Sequence, residues 1–249
     1  MLEVKNIEKS FEKESVLEQV NFQLEENQVL SVLGRSGSGK TTLLKIIAGL
    51  ERESGGEIIW KGQTLNDLPP NARKIVYLYQ EALLFPHLNV FENVAFGLRL
   101  KHENEKVVKE KVGAMLEALG LGEHENKMTH QLSGGQKQRV SFGRALVISP
   151  PVLLLDEPFG ALDGETRKQM QDLFFKMKEQ FNMTALFVTH DIKEAIIIGD
   201  KLGHMQNGRI KLYEDLAQFL LDPATEAQRE LKFWEGVKAD LDNYPSKDS

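Results

Sequence analysis

Cysteine is absent from the 249-residue sequence, and its apolar runs are short. Without cysteine, disulfides, thiolate metal centres and a cysteine nucleophile are excluded, and the composition fits a reducing compartment. Apolar runs such as residues 152–155 and 195–198 are far shorter than the roughly 20 residues that span a bilayer. The N-terminus also lacks the basic and apolar regions of a secretion signal. We therefore expect a soluble, cytosolic chain that reaches a membrane only through a partner.

Positive charge is in deficit, because 31 Lys and Arg residues face 37 Asp and Glu residues, for a net charge of −6. A protein that binds nucleic acid usually presents a basic face, so this balance argues against that class. The chain is 41% apolar and 27% charged, which is typical of folded rather than disordered proteins. Its length suits one large domain, or one domain that contains an inserted subdomain.

The first 80 residues are predicted to be rich in strands, with one helix among them. Apolar residues alternate with polar ones around residues 2–4 and 22–24, and an apolar run at 28–33 ends at a glycine. Residues 40–48 have the apolar spacing of a helix that ends at Gly49. Residues 57–60 and 75–79 are predicted strands. The pair Gly55-Gly56 and Gly62 are predicted turns.

Residues 81–150 differ from the rest, because they have helical periodicity and no convincing strand. Asn89 followed by Glu92 is typical of a helix start, and residues 106–119 have helical spacing and end at Gly120. We interpret about 81–150 as a helical subdomain inserted into a sheet-containing core. The unit that contains it is predicted to span residues 1–222.

After residue 150 the pattern alternates again between strands and helices. Wholly apolar strands at 152–155 and 185–188, separated by an amphipathic helix at 166–181, predict a parallel sheet with both faces covered. A tight hairpin is predicted at 206–209. The remaining residues, 223–249, are predicted to form a tail that is helical at about 226–240 and frayed at 243–249.

Residues 34–41 read Gly-Arg-Ser-Gly-Ser-Gly-Lys-Thr and match the pattern G-x-x-x-x-G-K-[ST] between a predicted strand and helix. Such a loop turns its N–H groups toward phosphate oxygens at the positive end of a helix. Lys40 is predicted to reach the β and γ phosphates, and Thr41 to bind Mg²⁺. A loop that only turns the chain is the alternative. The predicted phosphate-binding residues are Gly34, Ser36, Gly37, Ser38, Gly39, Lys40, Thr41 and Thr42.

Two carboxylates, Asp156 and Glu157, follow the apolar strand at 152–155. The carboxyl ends of parallel strands are where such sheets bind ligands. We predict that Asp156 holds Mg²⁺ and that Glu157 polarises an attacking water. The alternative is a loop cap beside a solvated glutamate, a pattern that many ordinary proteins contain.

A second glycine-rich element, Leu-Ser-Gly-Gly-Gln at residues 132–136, precedes a predicted helix. It predicts either a second anion site or a plain helix cap at Ser133. Together with the loop at 34–41 and the sequence Val-Leu-Leu-Leu-Asp-Glu-Pro at 152–158, this element resembles the signature of ATP-binding cassette (ABC) ATPases. The resemblance covers about residues 2–220.

The resemblance implies a fold class and a site. The fold class is α/β, a P-loop NTPase core with a mostly parallel sheet, an N-terminal antiparallel β subdomain and an inserted helical subdomain. The implied ligands are ATP and Mg²⁺, with Gln80 also on the metal, His190 on the γ phosphate, Asp163 at a dimer interface and Phe11 on the adenine. Without the family resemblance, Gln80 would be interpreted as a loop residue and His190 as a residue at a helix end. Asp163 would be interpreted as a helix cap and Phe11 as a core aromatic.

In that family two copies pack head to tail, so that each ATP lies between the P-loop of one chain and the signature of the other. The resemblance therefore implies that Ser133, Gly134, Gly135 and Gln136 act on the partner's nucleotide. Catalysis is expected from Lys40, Gln80, Glu157 and His190.

Residues 84–97 are similar to the segment of bacterial importers that receives a membrane subunit. This implies permease subunits and, indirectly, a solute-binding protein as partners, with no nucleic acid, at the inner face of the cell membrane. The expected activity is ATP hydrolysis that drives import. The family's polyamine, iron, sugar, oxyanion, nitrate and sulfonate importers all remain possible, as does a non-transport ABC ATPase that acts on nucleic acid or ribosomes. A P-loop kinase leaves the signature unexplained. Because only about thirty residues of this sequence follow residue 220, we expect no regulation by the long C-terminal domain that some importers carry.

Overall fold

The computed structural model describes residues 1–12 and 14–233. Strands in this part of the chain form two sheets. Their bounds are β1 (Leu2–Phe11), β2 (Glu14–Leu24), β3 (Val29–Leu33), β4 (Gly55–Trp60), β5 (Gln63–Thr64), β6 (Ile75–Leu78), β7 (Val152–Asp156), β8 (Ala185–Thr189), β9 (Lys201–Gln206) and β10 (Arg209–Tyr213).

Helices connect these strands, and three of them lie together between β6 and β7. Their bounds are α1 (Lys40–Ala48), α2 (Pro70–Arg73), α3 (Val90–Leu100), α4 (Glu105–Ala118), α5 (Gly134–Leu146), α6 (Gly164–Phe181), α7 (Ile192–Ile198) and α8 (Leu216–Leu221). Short 3₁₀ turns occupy Gly122–His124, Thr129–Gln131 and Pro223–Thr225. No helix in the described ranges has both the length and the apolar character that a membrane crossing requires.

The larger sheet has the strand order β10-β9-β3-β8-β7-β6. Its strands β9, β3, β8, β7 and β6 are parallel, and only the edge strand β10 is antiparallel. Along β7 the side chains alternate between two core clusters: Val152 and Leu154 belong to the cluster around α1, whereas Leu153 and Leu155 belong to the cluster around the helices. The sheet is therefore covered on both faces, as the apolar strands predict.

The smaller sheet is antiparallel and has the order β2-β1-β4-β5. The predicted turn at Gly55-Gly56 is wrong, because both glycines lie within β4. The pairing of β1 with β4 shifts register between Lys5 and Glu8. Gly56 has a φ of 93°, and a Cβ there would collide with the carbonyl oxygen of Asn6. Gly56 therefore permits a close approach between strands rather than a reversal of the chain.

The helical region between β6 and β7 begins as the sequence predicts. Asn89 is the N-cap of α3, and its side chain accepts a hydrogen bond of 2.7 Å from the backbone N–H of Glu92. Buried residues of α3, α4 and α5 join one hydrophobic cluster with Phe159, Phe174 and Phe187. The helices thus pack on the face of the larger sheet that lies opposite α1.

The C-terminal part of the chain is described only as far as Phe233. Glu226 has a φ of 58° and lies outside the helix, and residues 227–233 are helical. The rest of the predicted helix at 226–240 and the predicted frayed tail at 243–249 lie outside the described residues.

Candidate active site

The loop between β3 and α1 has a backbone that requires glycine at two positions. Gly37 and Gly39 have φ values of 81° and 103°, in the left-handed region. A Cβ on Gly39 would lie 2.7 Å from Cδ2 of Leu17 and 2.9 Å from the carbonyl oxygen of Val16. The missing side chain of Gly39 therefore lets the loop lie close against β2, whereas Gly37 is required only for its backbone angle.

The same loop presents hydrogen-bond donors that the described residues do not use. The N-cap of α1 is Gly39, which has no side chain to cap the first turn. The Oγ atom of Ser38 is buried and has no hydrogen-bond partner within the described residues. Free N–H groups at a helix N-terminus, beside an unpaired buried hydroxyl, fit the oxygens of a phosphate group.

Lys40 is the first residue of α1, and its side chain is only 4% exposed. Its Nζ donates to the carbonyl oxygens of Gly34, at 2.6 Å, and Arg35, at 3.1 Å. The same atom lies 3.3 Å from Oε1 of Glu157. The loop thus holds the ammonium group in place and directs it toward the carboxyl end of β7.

Asp156 is the last residue of β7, and both of its carboxylate oxygens are hydrogen-bonded. Oδ1 accepts a bond of 3.1 Å from the hydroxyl of Thr41, and Oδ2 accepts one of 2.7 Å from the hydroxyl of Tyr77. Burial, and secondly the Asp156 carboxylate, raise the pKa of Tyr77 well above its usual value. The phenol therefore stays protonated and acts as the donor.

Glu157 follows Asp156 and adopts a φ of 45°, which is unusual for a residue with a side chain. Its N–H donates to the carbonyl oxygen of Val188 at 3.0 Å, which fixes it to β8. Its Oε2 lies 2.6 Å from Nδ1 of His190, the residue that follows β8. Glu157 therefore connects Lys40 on one side with His190 on the other.

These groups line one cleft of about 540 Å³. The predicted residues that line it are Ser36, Gly37, Gly39, Lys40, Thr41, Thr42, Gln80, Asp156, Glu157 and His190. Val16, which the sequence analysis did not single out, also lines the cleft. Gln80 follows β6 and also lines the cleft. Its Nε2 lies beside Gly160, where an added Cβ would be 3.2 Å from that nitrogen.

Phe11, at the end of β1, is 45% exposed and is not among the residues that line this cleft. The Nζ of Lys9 lies 4.5 Å from the centre of its ring. Lys9 also forms an ion pair of 2.6 Å with Glu51. Phe11 therefore presents ring surface to solvent beside a fixed cation.

The signature residues lie at the start of α5 and do not line the cleft of their own chain. Ser133 and Gln136 form a capping box: the Ser133 N–H donates to Oε1 of Gln136 at 3.0 Å, and the Gln136 N–H donates to Oγ of Ser133 at 3.2 Å. A Cβ on Gly134 would meet nothing within 4 Å, whereas one on Gly135 would collide with Thr166. Gly134 thus has open space in front of it.

Asp163 is the N-cap of α6, and its side chain accepts a bond of 3.0 Å from the Thr166 N–H. This bond, first of several, holds the pKa of Asp163 below its usual value. The residue is exposed and lies outside the cleft lining. Within this chain its structure is that of a helix cap.

The oxygen atoms in the cleft suit Mg²⁺ better than a transition metal. The described residues contain no group of three or more His, Cys, Asp or Glu side chains that could hold a metal ion. Thr41 and Asp156 instead offer a hydroxyl and a carboxylate that are already in contact, and the amide of Gln80 lines the same cleft. A few protein oxygens are what Mg²⁺ uses when phosphates and waters complete its octahedron.

The hydrogen bond from Tyr77 to Asp156 is a contact beside the cleft that the sequence did not predict. The position of Tyr77 in a strand gave no signal, because its partner, Asp156, lies 79 residues further along the chain. Only the adjacency of β6 and β7 in the sheet brings the two together. The alternation of side chains along β6 could have predicted that Tyr77 lies on the α1 side of the sheet. It could not have predicted that the hydroxyl bonds the carboxylate of Asp156.

With this fold and this cleft, the chain belongs to the ABC transporter family, whose sequence profile matches residues 17–160. The family resemblance of the motifs is thereby confirmed. It is similar to the spermidine/putrescine import ATP-binding protein PotA of Clostridium novyi (strain NT), with 44% identity over 211 residues, 85% of this chain and 61% of the relative. It is also similar to the sulfate/thiosulfate import ATP-binding protein CysA of Yersinia pseudotuberculosis serotype I, with 41% identity over 228 residues, 90% of this chain and 63% of the relative.

Among solved structures, the chain is similar to the ATP-binding cassette MJ0796, described as a dimeric post-hydrolysis state bound to ADP and Pi. The TM-score is 0.75 at 32% sequence identity, over 85% of this chain and 97% of that one. This similarity confirms the predicted fold class. The chain spans about three fifths of the length of the curated relatives that it matches.

Proposed function

We propose that this chain is the ATP-binding and ATP-hydrolysing subunit of a bacterial ABC importer, and that it works as a head-to-tail pair. The observation that carries the proposal is the convergence of Lys40, Asp156, Glu157 and His190 in one cleft at the carboxyl edge of a parallel sheet. Such edges are where these folds bind ligands. The import proteins named above support a role in import over one on nucleic acid or ribosomes.

In this proposal the loop at 34–42 binds the phosphates of ATP. The N–H groups of the loop and the ammonium of Lys40 supply positive charge where the γ phosphate becomes more negative. Thr41, Gln80 and Asp156 hold Mg²⁺, which neutralises phosphate charge when bound. Phe11, with its exposed ring, stacks on the adenine.

Glu157 is the proposed base for the attacking water. Its carboxylate lies between a fixed ammonium and an imidazole, so its oxygens have a defined direction in the cleft. His190 contacts the γ phosphate and orients Glu157. Because geometry and charge supply most of the catalysis of phosphoryl transfer, these fixed contacts support the assignment.

The signature residues 133–136 act in trans in this proposal. They cap the N-terminus of α5 and do not line the cleft of their own chain, so in this proposal a second copy supplies them to each nucleotide. Asp163 contacts the partner across the same interface. The proposed ATPase unit is residues 1–222, with about 81–150 as its helical subdomain.

The proposed partners are a second copy of the chain, permease subunits at the inner face of the cell membrane and, indirectly, a solute-binding protein. The chain itself is cytoplasmic and peripheral to the membrane.

Polyamines and sulfate are the first solutes to examine, because the relatives are named for them. Loss of this chain should abolish uptake of one labelled solute, which the parent chain restores and Glu157→Gln does not. Restoration by the variant would contradict ATP-driven import.

The variant Gly134→Asp tests the shared nucleotide site. The side chain has open space in the single chain, and an acid at a helix N-terminus is favourable there, so the fold should be unaffected. In a dimer the carboxylate would face the γ phosphate of the partner's ATP and repel it. We expect parental ATP affinity by calorimetry, no ATP-dependent dimer by light scattering, and ATP turnover lowered at least tenfold.

Gly113→Asp is the matched control, because Gly113 also has open space within 4 Å and lies on α4, away from the cleft. It should bind ATP, dimerise and hydrolyse as the parent does. If Gly134→Asp behaves like this control, the signature does not act across a dimer. If the parent itself neither binds nor hydrolyses ATP, the proposed function is wrong.

A further inference from the structure

Tyr77 lies on β6 with its ring on the same face of the sheet as α1. It packs against the hydrophobic cluster that contains α1, and its ring lies 4.3 Å, centre to centre, from the ring of Tyr79. The hydroxyl at the end of the ring donates a hydrogen bond of 2.7 Å to Oδ2 of Asp156. The single donor of this half-buried phenol thus bonds the carboxylate of the proposed metal site.

The strand register brings Tyr77 and Asp156 to the same face of the sheet. Tyr77 pairs with Leu154 on β7, and Asp156 lies two residues further along, on the same face. The side chain of Tyr77 therefore extends along the strand direction, toward the carboxyl end of β7, to reach the Asp156 carboxylate. Parallel pairing fixes the backbone of both residues, and packing against the cluster around α1 and the ring of Tyr79 holds the phenol beside the carboxylate.

The two oxygens of Asp156 have different partners. Oδ2 faces the phenol of Tyr77, and Oδ1 faces the hydroxyl of Thr41, which opens on the cleft. A carboxylate can rotate about its last bond, and a donor on each oxygen removes that freedom. Thr41 alone could not do this, because it is exposed and is itself a proposed metal ligand.

We propose that Tyr77 is a positioning residue for the divalent cation: its hydroxyl holds Oδ2 of Asp156 so that Oδ1 stays directed at Thr41 and the metal. The inference rests on the proposed function and extends it to a residue that touches neither metal nor nucleotide. Partners of this kind orient the groups that bind a metal, and their loss typically lowers metal affinity by about 10–100-fold.

Tyr77→Phe removes the hydroxyl and keeps the ring, and Tyr79→Phe makes the same change on the neighbouring ring as the matched control. The dissociation constant of ADP is measured by calorimetry, once with Mg²⁺ and once with EDTA. The ratio of the two constants is the gain in affinity due to the metal. For Tyr77→Phe this gain should fall by about tenfold or more, with the EDTA value unchanged. Tyr79→Phe should keep the parental gain.

The Mg²⁺-free melting temperature of each variant shows that the fold is intact, and Tyr77→Met replaces the Phe variant if the latter does not fold. A parental gain in the Tyr77 variant would overturn the inference. An equal loss in both Tyr variants would also overturn it, because the bond from Tyr77 to Asp156 would then not be what sets the metal affinity. If the parent binds ADP with no gain from Mg²⁺, the proposed metal site itself is wrong. The two failures are thus separable.

Discussion

Glu157 and His190 face each other across the ends of two neighbouring strands, with Oε2 of the glutamate 2.6 Å from Nδ1 of the histidine. The glutamate reaches this position through a backbone conformation with a φ of 45°. Residues held in such conformations cost free energy and persist where the surrounding structure enforces them. The pair is thus placed by two adjacent strands, β7 and β8, rather than by a mobile loop.

Glu157→Gln should lower ATP turnover by about 10²–10⁴-fold, the range expected for loss of a general base. The amide keeps the shape of the carboxylate but cannot accept a proton from water. ATP affinity should remain close to parental, because the loop at 34–42 and not Glu157 binds the phosphates. Dimers that depend on ATP should then accumulate. Single-turnover hydrolysis, calorimetry and light scattering measure the three quantities.

Glu110→Gln makes the same change on an exposed position of α4 and serves as the control. It should hydrolyse ATP at the parental rate. A Glu157→Gln chain with undiminished turnover would exclude Glu157 as the base and leave the neighbouring carboxylate, Asp156, to be examined.

Local features of this fold could be predicted from the sequence because short-range rules decide them. The helix α1 begins at Lys40 and ends at Ala48 as predicted, since a glycine-rich loop and Gly49 bound it. The caps at Asn89 and Ser133 also form. In each case the decisive groups lie within a few residues of one another, so the sequence pattern contains the whole interaction.

The contacts that complete the site could not be predicted, because they depend on strand order. β6 and β7 are neighbours in the sheet although the helical region separates them along the chain. Tyr77 reaches Asp156 only through that adjacency. Which strand pairs with which is decided by the packing of the whole core, and no window of sequence records it.

Arg73 is a second long-range contact of this kind, and it predicts a large effect on stability. The residue is 4% exposed and comes just before β6. Its guanidinium donates to the carbonyl oxygens of Ile46, at 2.8 Å, and Ile47, at 3.1 Å, at the end of α1. It also donates to those of Leu68 and Asn66. A cation thus lies at the negative end of the helix that carries Lys40 and donates to two of its last carbonyls, of which that of Ile46 also accepts the Gly49 N–H.

Arg73→Ala should lower the free energy of unfolding by about 3 kcal/mol, because several buried carbonyls lose their donor at once. Arg73→Lys keeps the charge but has no planar fork for four acceptors, so it should recover only part of the loss. Urea unfolding curves measure both. Arg52→Ala, at an exposed position nearby, should stay within about 0.5 kcal/mol of the parent. An Arg73→Ala chain as stable as that control would show that the carbonyls find other donors.

Asp222, between α8 and the 3₁₀ turn at Pro223–Thr225, predicts a dependence of stability on pH. Oδ2 accepts bonds from Lys211, at 2.6 Å, and Tyr213, at 2.8 Å, and Oδ1 accepts one from the N–H of Ala224. The Lys211 bond first, then that from Ala224, lower the pKa of Asp222 to about 2. Because the folded pKa lies below the unfolded value of about 3.9, the charged form stabilises the fold above about pH 4. That stabilisation is lost as the pH falls toward 2.

Asp222→Asn should therefore be less stable than the parent by about 1 kcal/mol at pH 7, a modest value because Lys211 is 65% exposed and solvent screens the pair. Urea unfolding at a series of pH values should show this difference unchanged down to about pH 5 and shrinking from pH 4 to pH 3. Asp67→Asn, at an exposed carboxylate, should show no comparable difference at any pH. A difference for Asp222→Asn that stays constant through pH 3 would mean that shape, and not charge, makes the aspartate stabilising.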